Sequence, residues 1–224
     1  MPVWEQGEHV VVAGTTGSGK THLLDRLIRE NRRFVVVFKT KDDPEDRDKY
    51  WRGFKRITRA SEIRNPRWTR YLLMPPLGKF PRQYEHQRRE AHALIDQVFR
   101  MGGWTVVFDE RWYAEKFLGV EDGINMLETQ GRSKGITVVS GLQRPVEISR
   151  FALSQAAHVF MFRGDGRDAE TLGKATTRDI RGVVEGLTGH DFAYWHTKTR
   201  TVLRSNSRVL PRVITPPGLG GDQR

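Results

Sequence analysis

The octapeptide Gly14-Thr15-Thr16-Gly17-Ser18-Gly19-Lys20-Thr21 constrains this chain more than any other stretch. It fits G-x-x-x-x-G-K-[ST] without a mismatch. Before it lies a short β-branched run, residues 9–12. After it, in residues 20–30, Leu23, Leu24, Leu27 and Ile28 recur at helical spacing. The glycines let the backbone turn so that several N–H groups aim at one point. The helix that follows adds the partial positive charge of its N-terminus. Such a turn holds phosphate. Lys20 is placed to reach the β- and γ-phosphates of a nucleotide, and the Thr21 hydroxyl to ligate magnesium. Residues 34–38 read as a second buried strand. Strand, glycine turn, helix and strand make a βαβ unit, which predicts a parallel sheet.

A second apolar run, Thr105-Val106-Val107-Phe108, delivers two adjacent acids, Asp109 and Glu110. In a parallel sheet the end of that strand shares an edge with the glycine turn. Asp109 fits a magnesium carboxylate, and Glu110 the base that polarises an attacking water. Glu110 argues against a small-molecule kinase, whose substrate is itself the nucleophile. A third strand, residues 136–140, leads into Gly141-Leu142-Gln143-Arg144-Pro145. Gln143 fits a sensor of the γ-phosphate at a neighbouring strand end. Further strands are expected at 56–58, 71–74, 158–162, 192–196 and 201–203, the last two as a hairpin. Helices are expected at 83–101, 123–131 and 167–173, with Gly102 and Gly103 ending the first of these.

The phosphate loop, the Asp109-Glu110 strand, the run Gly131-Arg132-Ser133-Lys134-Gly135-Ile136 and the segment Gln143-Arg144-Pro145 together resemble the FtsK–HerA superfamily of P-loop ATPases. Ser154-Gln155-Ala156-Ala157-His158-Val159-Phe160 resembles that superfamily's next strand. The short length is similar to that of the genome-packaging ATPases of membrane-containing icosahedral viruses. The resemblance implies an α/β P-loop NTPase of the additional-strand, RecA-like type, with a central, mostly parallel sheet flanked by helices. It implies ATP and Mg2+ as cofactors, and a homo-oligomeric ring, hexamer or pentamer, with ATP hydrolysed between subunits. Double-stranded DNA would be moved through the central channel. It also implies an arginine finger, with Arg132 the first candidate and Arg150 the second. A capsid or membrane protein at a portal vertex would be the docking partner, and the host cytoplasm or the virion the location.

Charge agrees with a polyanionic partner: 38 Lys and Arg stand against 27 Asp and Glu, a formal net charge of +11 over 224 residues. Basic clusters lie at 52–70 and 82–89. Arg111-Trp112-Tyr113-Ala114-Glu115-Lys116-Phe117 reads equally as a DNA-coupling loop or as aromatics packed beneath the site. A motor indifferent to sequence should grip phosphates rather than bases. Cysteine is absent, which excludes disulfides, thiolate catalysis and Cys-based zinc sites. The histidines show no ligand spacing, so magnesium is the one metal expected. Residues 1–9 carry acids and no apolar core, so no secretory signal is expected. The longest apolar runs fall far short of the roughly 20 residues of a spanning helix. Residues 1–204 read as the ATPase domain and 205–224 as a basic Gly/Pro-rich tail, with Arg200, Arg204, Arg208 and Arg212 as exposed charge. Four other readings stay open on the sequence: a nucleic-acid-binding switch or loader without processive movement, a phage assembly and export ATPase, a kinase, and a scaffold that only holds nucleotide.

Overall fold

The computed structural model describes residues 4–41, 49–64, 69–144, 150–176 and 180–208. The strands among them are β1 (His9–Ala13), β2 (Val35–Phe38), β3 (Lys55–Ile57), β4 (Arg70–Leu73), β5 (Thr105–Phe108), β6 (Thr137–Leu142), β7 (Ala156–Phe162), β8 (Asp191–His196) and β9 (Thr201–Asn206). They form one sheet in the order β3-β4-β2-β5-β6-β1-β7-β8-β9. Every pairing from β3 to β7 is parallel, and β8 and β9 are added antiparallel as a hairpin.

The parallel strands are short apolar runs because both faces of the sheet are covered. On β2, Val36 and Phe38 face one way and Val35 and Val37 the other. The first pair packs with α2 (Arg82–Met101) through Ala91, Leu94, Ile95 and Val98, and with α4 (Glu121–Thr129) through Ile124 and Leu127. The second pair packs with α1 (Lys20–Asn31) through Leu23, Leu24, Leu27 and Ile28. Over β1, β7 and β8, the helices α5 (Arg150–Gln155), α6 (Gly166–Thr176) and α7 (Arg181–Glu185) close a third cluster with Val11, Ala13, Val159 and Trp195.

The order places β6 between the strand before the glycine turn, β1, and the strand before the acids, β5. This is the additional-strand arrangement, and the sheet is mostly parallel as expected. Registers Val10↔Val139 and Phe108↔Ser140 align the three strands, so Gly14, Asp109 and Gln143 all emerge on one edge. Two local readings change. Residues 111–116 are a helix, α3 (Arg111–Lys116), rather than a loop. The strand expected at 136–140 runs on to Leu142, which carries it directly to Gln143. The hairpin also continues beyond 203: β9 ends at Asn206, and residues from 209 onward lie outside the described residues.

Candidate active site

The glycine turn is held by its own backbone and by three strands. Gly14 N–H donates to Leu142 O at 3.0 Å, Ser18 N–H to Thr15 O at 3.2 Å, and Leu23 N–H to Gly19 O at 3.0 Å. Gly17 and Gly19 have φ of 80° and 99°, in the left-handed region where a side chain is strained. A Cβ on Gly14 would meet Ser18 Oγ at 2.6 Å and Phe162 Cβ at 2.8 Å. The sequence pattern therefore has a steric basis as well as a conformational one. Gly19 is the N-cap of α1, and the first turn of that helix carries no acidic residue to offset its positive end. Lys20 Nζ donates to Gly14 O at 3.3 Å, which folds the ammonium over the turn.

One cavity of about 580 Å³ opens at this edge, a volume in the range of small-molecule sites. Thr15, Thr16, Gly17, Gly19, Lys20 and Thr21 line its floor, and Asp109, Glu110 and Gln143 its wall. Thr21 and Asp109 thus border the same space, an alcohol and a carboxylate of the hard-oxygen type magnesium takes. Asp109 is buried at the end of β5 with Lys39 Nζ 3.9 Å from its Oδ2. Glu110 is half-buried and accepts a 2.5 Å hydrogen bond from Lys41 Nζ. Lys39 and Lys41, from the end of β2, bring positive charge to the cavity. Residue type and spacing in the motifs carry no signal of their role.

The far wall comes from the hairpin. His190 Nδ1–H donates to Ser18 O at 3.0 Å, and Ser207 and Arg208 follow β9 into the cavity lining. Arg208 is exposed, as expected, and also borders the cavity. Arg204 instead pairs with Asp191 at 2.7 Å, and Arg212 lies outside the described residues.

Arg132 stands elsewhere. It is exposed on a 3-10 turn, Gly131–Lys134, that precedes β6, so it lies at the edge of the sheet opposite its own phosphate loop. Arg150 opens α5, and its side chain is outside the described residues. The segment following Glu110 splits between the two readings given for it. Trp112 and Phe117 are exposed, whereas Arg111, Ala114 and Glu115 are buried. Arg70 also proves structural, donating to Arg29 O at 3.0 Å and to Arg32 O at 2.9 Å.

Two histidines meet an acid that spacing in the sequence did not place beside them. His158 and His196 are cross-strand neighbours on β7 and β8, and Glu8 joins them, with one ligand atom of each within 4.8 Å of the others. The hydrogen bonds make this a packing cluster. His158 faces Glu8 Oε2 at 3.1 Å, Lys198 Nζ donates to Glu8 Oε1 at 2.6 Å, and Thr199 N–H donates to His196 Nδ1 at 3.3 Å. An ammonium on the cluster's carboxylate opposes a second cation there. The His158 hydrogen bond, with that of Lys198, holds the Glu8 carboxyl well below the usual carboxylate range despite its burial.

An additional-strand sheet with this loop and these acids at one edge has the fold of a P-loop NTPase. No protein-family model matches the chain. The DNA packaging ATPase P9 of Enterobacteria phage PRD1 is 27% identical over 171 residues, covering 74% of this chain and 68% of that protein. The genome packaging NTPase B204 of Sulfolobus turreted icosahedral virus 2, solved with ATP-gammaS, superposes with a TM-score of 0.68 at 16% identity, over 90% of this chain and 98% of that one. B204 from Sulfolobus Turreted Icosahedral Virus gives 0.66 at 15% identity, over 90% and 98%. The chain is thus similar in sequence to a DNA packaging ATPase and in fold to genome packaging NTPases, the likeness that its short length and motifs together led one to expect.

Proposed function

We propose that this chain is a magnesium-dependent ATPase that moves double-stranded DNA, and that it packages a viral genome. The observation that carries the reading is the convergence of the glycine turn, Asp109, Glu110 and Gln143 on one cavity at one sheet edge. Its two nearest supports are the likeness to a DNA packaging ATPase and the fold shared with a genome packaging NTPase.

Lys20 and the loop amides hold the phosphates, and catalysis is chiefly positioning and charge stabilisation. Thr21 and Asp109 hold magnesium, which when bound offsets the phosphate charge. Glu110 accepts the proton of the attacking water. Lys41 keeps that carboxylate beside the cavity by a direct hydrogen bond. Gln143, at the end of β6, senses the γ-phosphate.

Arg132 acts in trans on a second copy of the chain. Its place at the opposite sheet edge supports this, because it lies remote from its own cradle. That requires a ring in which one subunit's 3-10 turn meets the next subunit's cavity. The duplex partner is supported by the net charge of +11 and by the exposed basic residues Arg82, Arg88 and Arg89 on α2. The C-terminal segment serves as an accessory to a domain that includes β9, which ends at Asn206, and the cavity residues Ser207 and Arg208. A portal-vertex protein and a cytoplasmic or virion location complete the proposal.

The test is ATP turnover with and without linear duplex DNA, at low and moderate salt, with and without magnesium, and with Glu110→Gln as control. Stimulation by DNA that fades with salt and vanishes in Glu110→Gln is the expected result. Robust turnover indifferent to DNA would replace the motor with an ATPase coupled to a protein partner.

A further inference from the structure

The residue after the proposed base, Arg111, opens α3 with its side chain fully buried. Its Nε donates to Glu115 Oε1 at 2.5 Å. Its Nη1 donates to Ser140 Oγ at 2.9 Å and to Glu128 Oε1, and its Nη2 to Glu128 Oε2 at 3.0 Å. One guanidinium therefore ties together three elements: the helix that follows Glu110, strand β6 that leads to Gln143, and the last turn of α4. The chain from α4 runs directly into the 3-10 turn that carries Arg132. Glu128 is fixed a second time at its backbone, where its carbonyl accepts from His9 Nε2 at 2.8 Å. The other nitrogen of His9 accepts from Val138 N–H at 3.1 Å.

A buried ion cluster is a poor source of stability, since well-packed apolar side chains of similar volume do as well or better. What it supplies is geometry. The two-pronged Arg111–Glu128 contact fixes both distance and angle between the segments it joins. Those segments end, at opposite edges of the sheet, in Glu110 and in the turn bearing Arg132.

We propose that Arg111 is a positioning residue that couples a subunit's own hydrolytic carboxylate to the arginine it presents to its neighbour. The proposal rests on the reading of Glu110 and Arg132 given above. In a closed ring every subunit has both ends, so a shift of the Glu110 segment on hydrolysis moves the finger at the next site through one rigid contact.

The test uses the full chain with Arg111→Met, Glu115→Leu and Glu128→Leu combined, which exchanges the charged cluster for apolar volume. The thermal midpoint and ATP-gammaS affinity should stay at wild-type values, while kcat falls at least about tenfold through loss of positioning and KM changes little. Wild-type kcat in that folded variant overturns the proposal. Should the triple variant fail to fold, Arg111→Lys keeps the charge and loses the fork. It is expected to reduce kcat several-fold, and unchanged turnover there is equally fatal. Coupling is read by adding Arg132→Ala. If both act on one step, the combined loss in kcat is well below the product of the separate losses. A loss equal to the product refutes the coupling. Failure of the finger assignment looks different, because Arg132→Ala alone then turns over at the wild-type rate.

Discussion

Alanine at Gly141 places one methyl group where the sheet has no room for it. The added Cβ would lie 2.3 Å from Asp109 O, 3.0 Å from Asp109 C and 3.2 Å from Asp109 Cα. All three are backbone atoms, so no rotamer change relieves the clash. Restoring a tolerable contact needs a separation of about 0.7 Å or more between the end of β5 and β6, and overpacking of this kind costs roughly 1–3 kcal/mol. For a chain of this size that corresponds to a fall of about 2–12 °C in the unfolding midpoint. The displaced atoms belong to the residue proposed to hold magnesium, next to the proposed base. A misplacement approaching 1 Å can cost on the order of 100-fold in rate, so kcat should fall much further than stability alone requires. The assay is steady-state ATP turnover beside a thermal melt, with Gly182→Ala as the matched control. At Gly182, in α7, a Cβ meets nothing within 4 Å, and alanine should stabilise by roughly 0.5–1 kcal/mol. Wild-type kcat and midpoint in Gly141→Ala would refute the claim that this close approach sets the position of Asp109.

Lys20→Ala should weaken ATP-gammaS binding roughly 10- to 100-fold, the worth of a charge-assisted hydrogen bond, and isothermal titration checks it. Burial pushes the His9 imidazole down to about 4 from its ordinary 6.5. The unfolded chain then takes up this proton first, so stability falls as pH drops from 6.5 toward 4, by about 2 kcal/mol between pH 7 and pH 5. His22 and His196 are depressed in the same direction, mainly by burial, so His9→Gln should reduce the slope of unfolding free energy against pH rather than abolish it. Glu8 contributes little between pH 7 and pH 5, because the stability from its depressed carboxyl is lost as pH falls through its ordinary 4.5 and below. Duplex affinity measured against salt should give a slope of log K near −5 if about six phosphates are contacted, with little preference for sequence.

The cradle was legible because its chemistry is local: eight consecutive residues carry the pattern, and the flanking strand and helix are contiguous with it. Asp109, Glu110 and Gln143 were legible for a related reason, since each directly follows an apolar run whose end a parallel sheet must place on the loop's edge. Gly102 ended its helix as read, with φ of 64° and its N–H bonded to Val98 O. Arg111 reads in the sequence only as part of a basic and aromatic stretch, a DNA-coupling loop or packed aromatics, because its partners, Glu128 and Ser140, are distant in the chain and nothing near Arg111 announces them. The Glu8–His158–His196 cluster escaped for the same reason, being assembled by a strand pairing and an N-terminal segment that spacing cannot register. Lys39 and Lys41 sat in a charged stretch where one lysine resembles the next. The lining role of Ser207 and Arg208 depends on where a hairpin folds back, and Gly/Pro-rich composition after 205 pointed away from it.

The position of β1 in the sheet also has a consequence for how the protein is made. The strand that carries the phosphate loop is synthesised first, yet its two neighbours are β6 and β7, while the next strand in the chain, β2, pairs with β4 and β5. A nascent chain that has emerged only as far as β5 therefore holds a finished loop sequence on an unpaired strand. Closing the long intervening loop is entropically slow, and until Phe162 is out of the ribosome Gly14 lacks the wall it packs against. The proposed nucleotide site exists only once the sheet is complete, so bound ATP would stabilise only the completed sheet. Nucleotide would thus act as a late clamp on folding, and an unfinished chain would gain nothing from it.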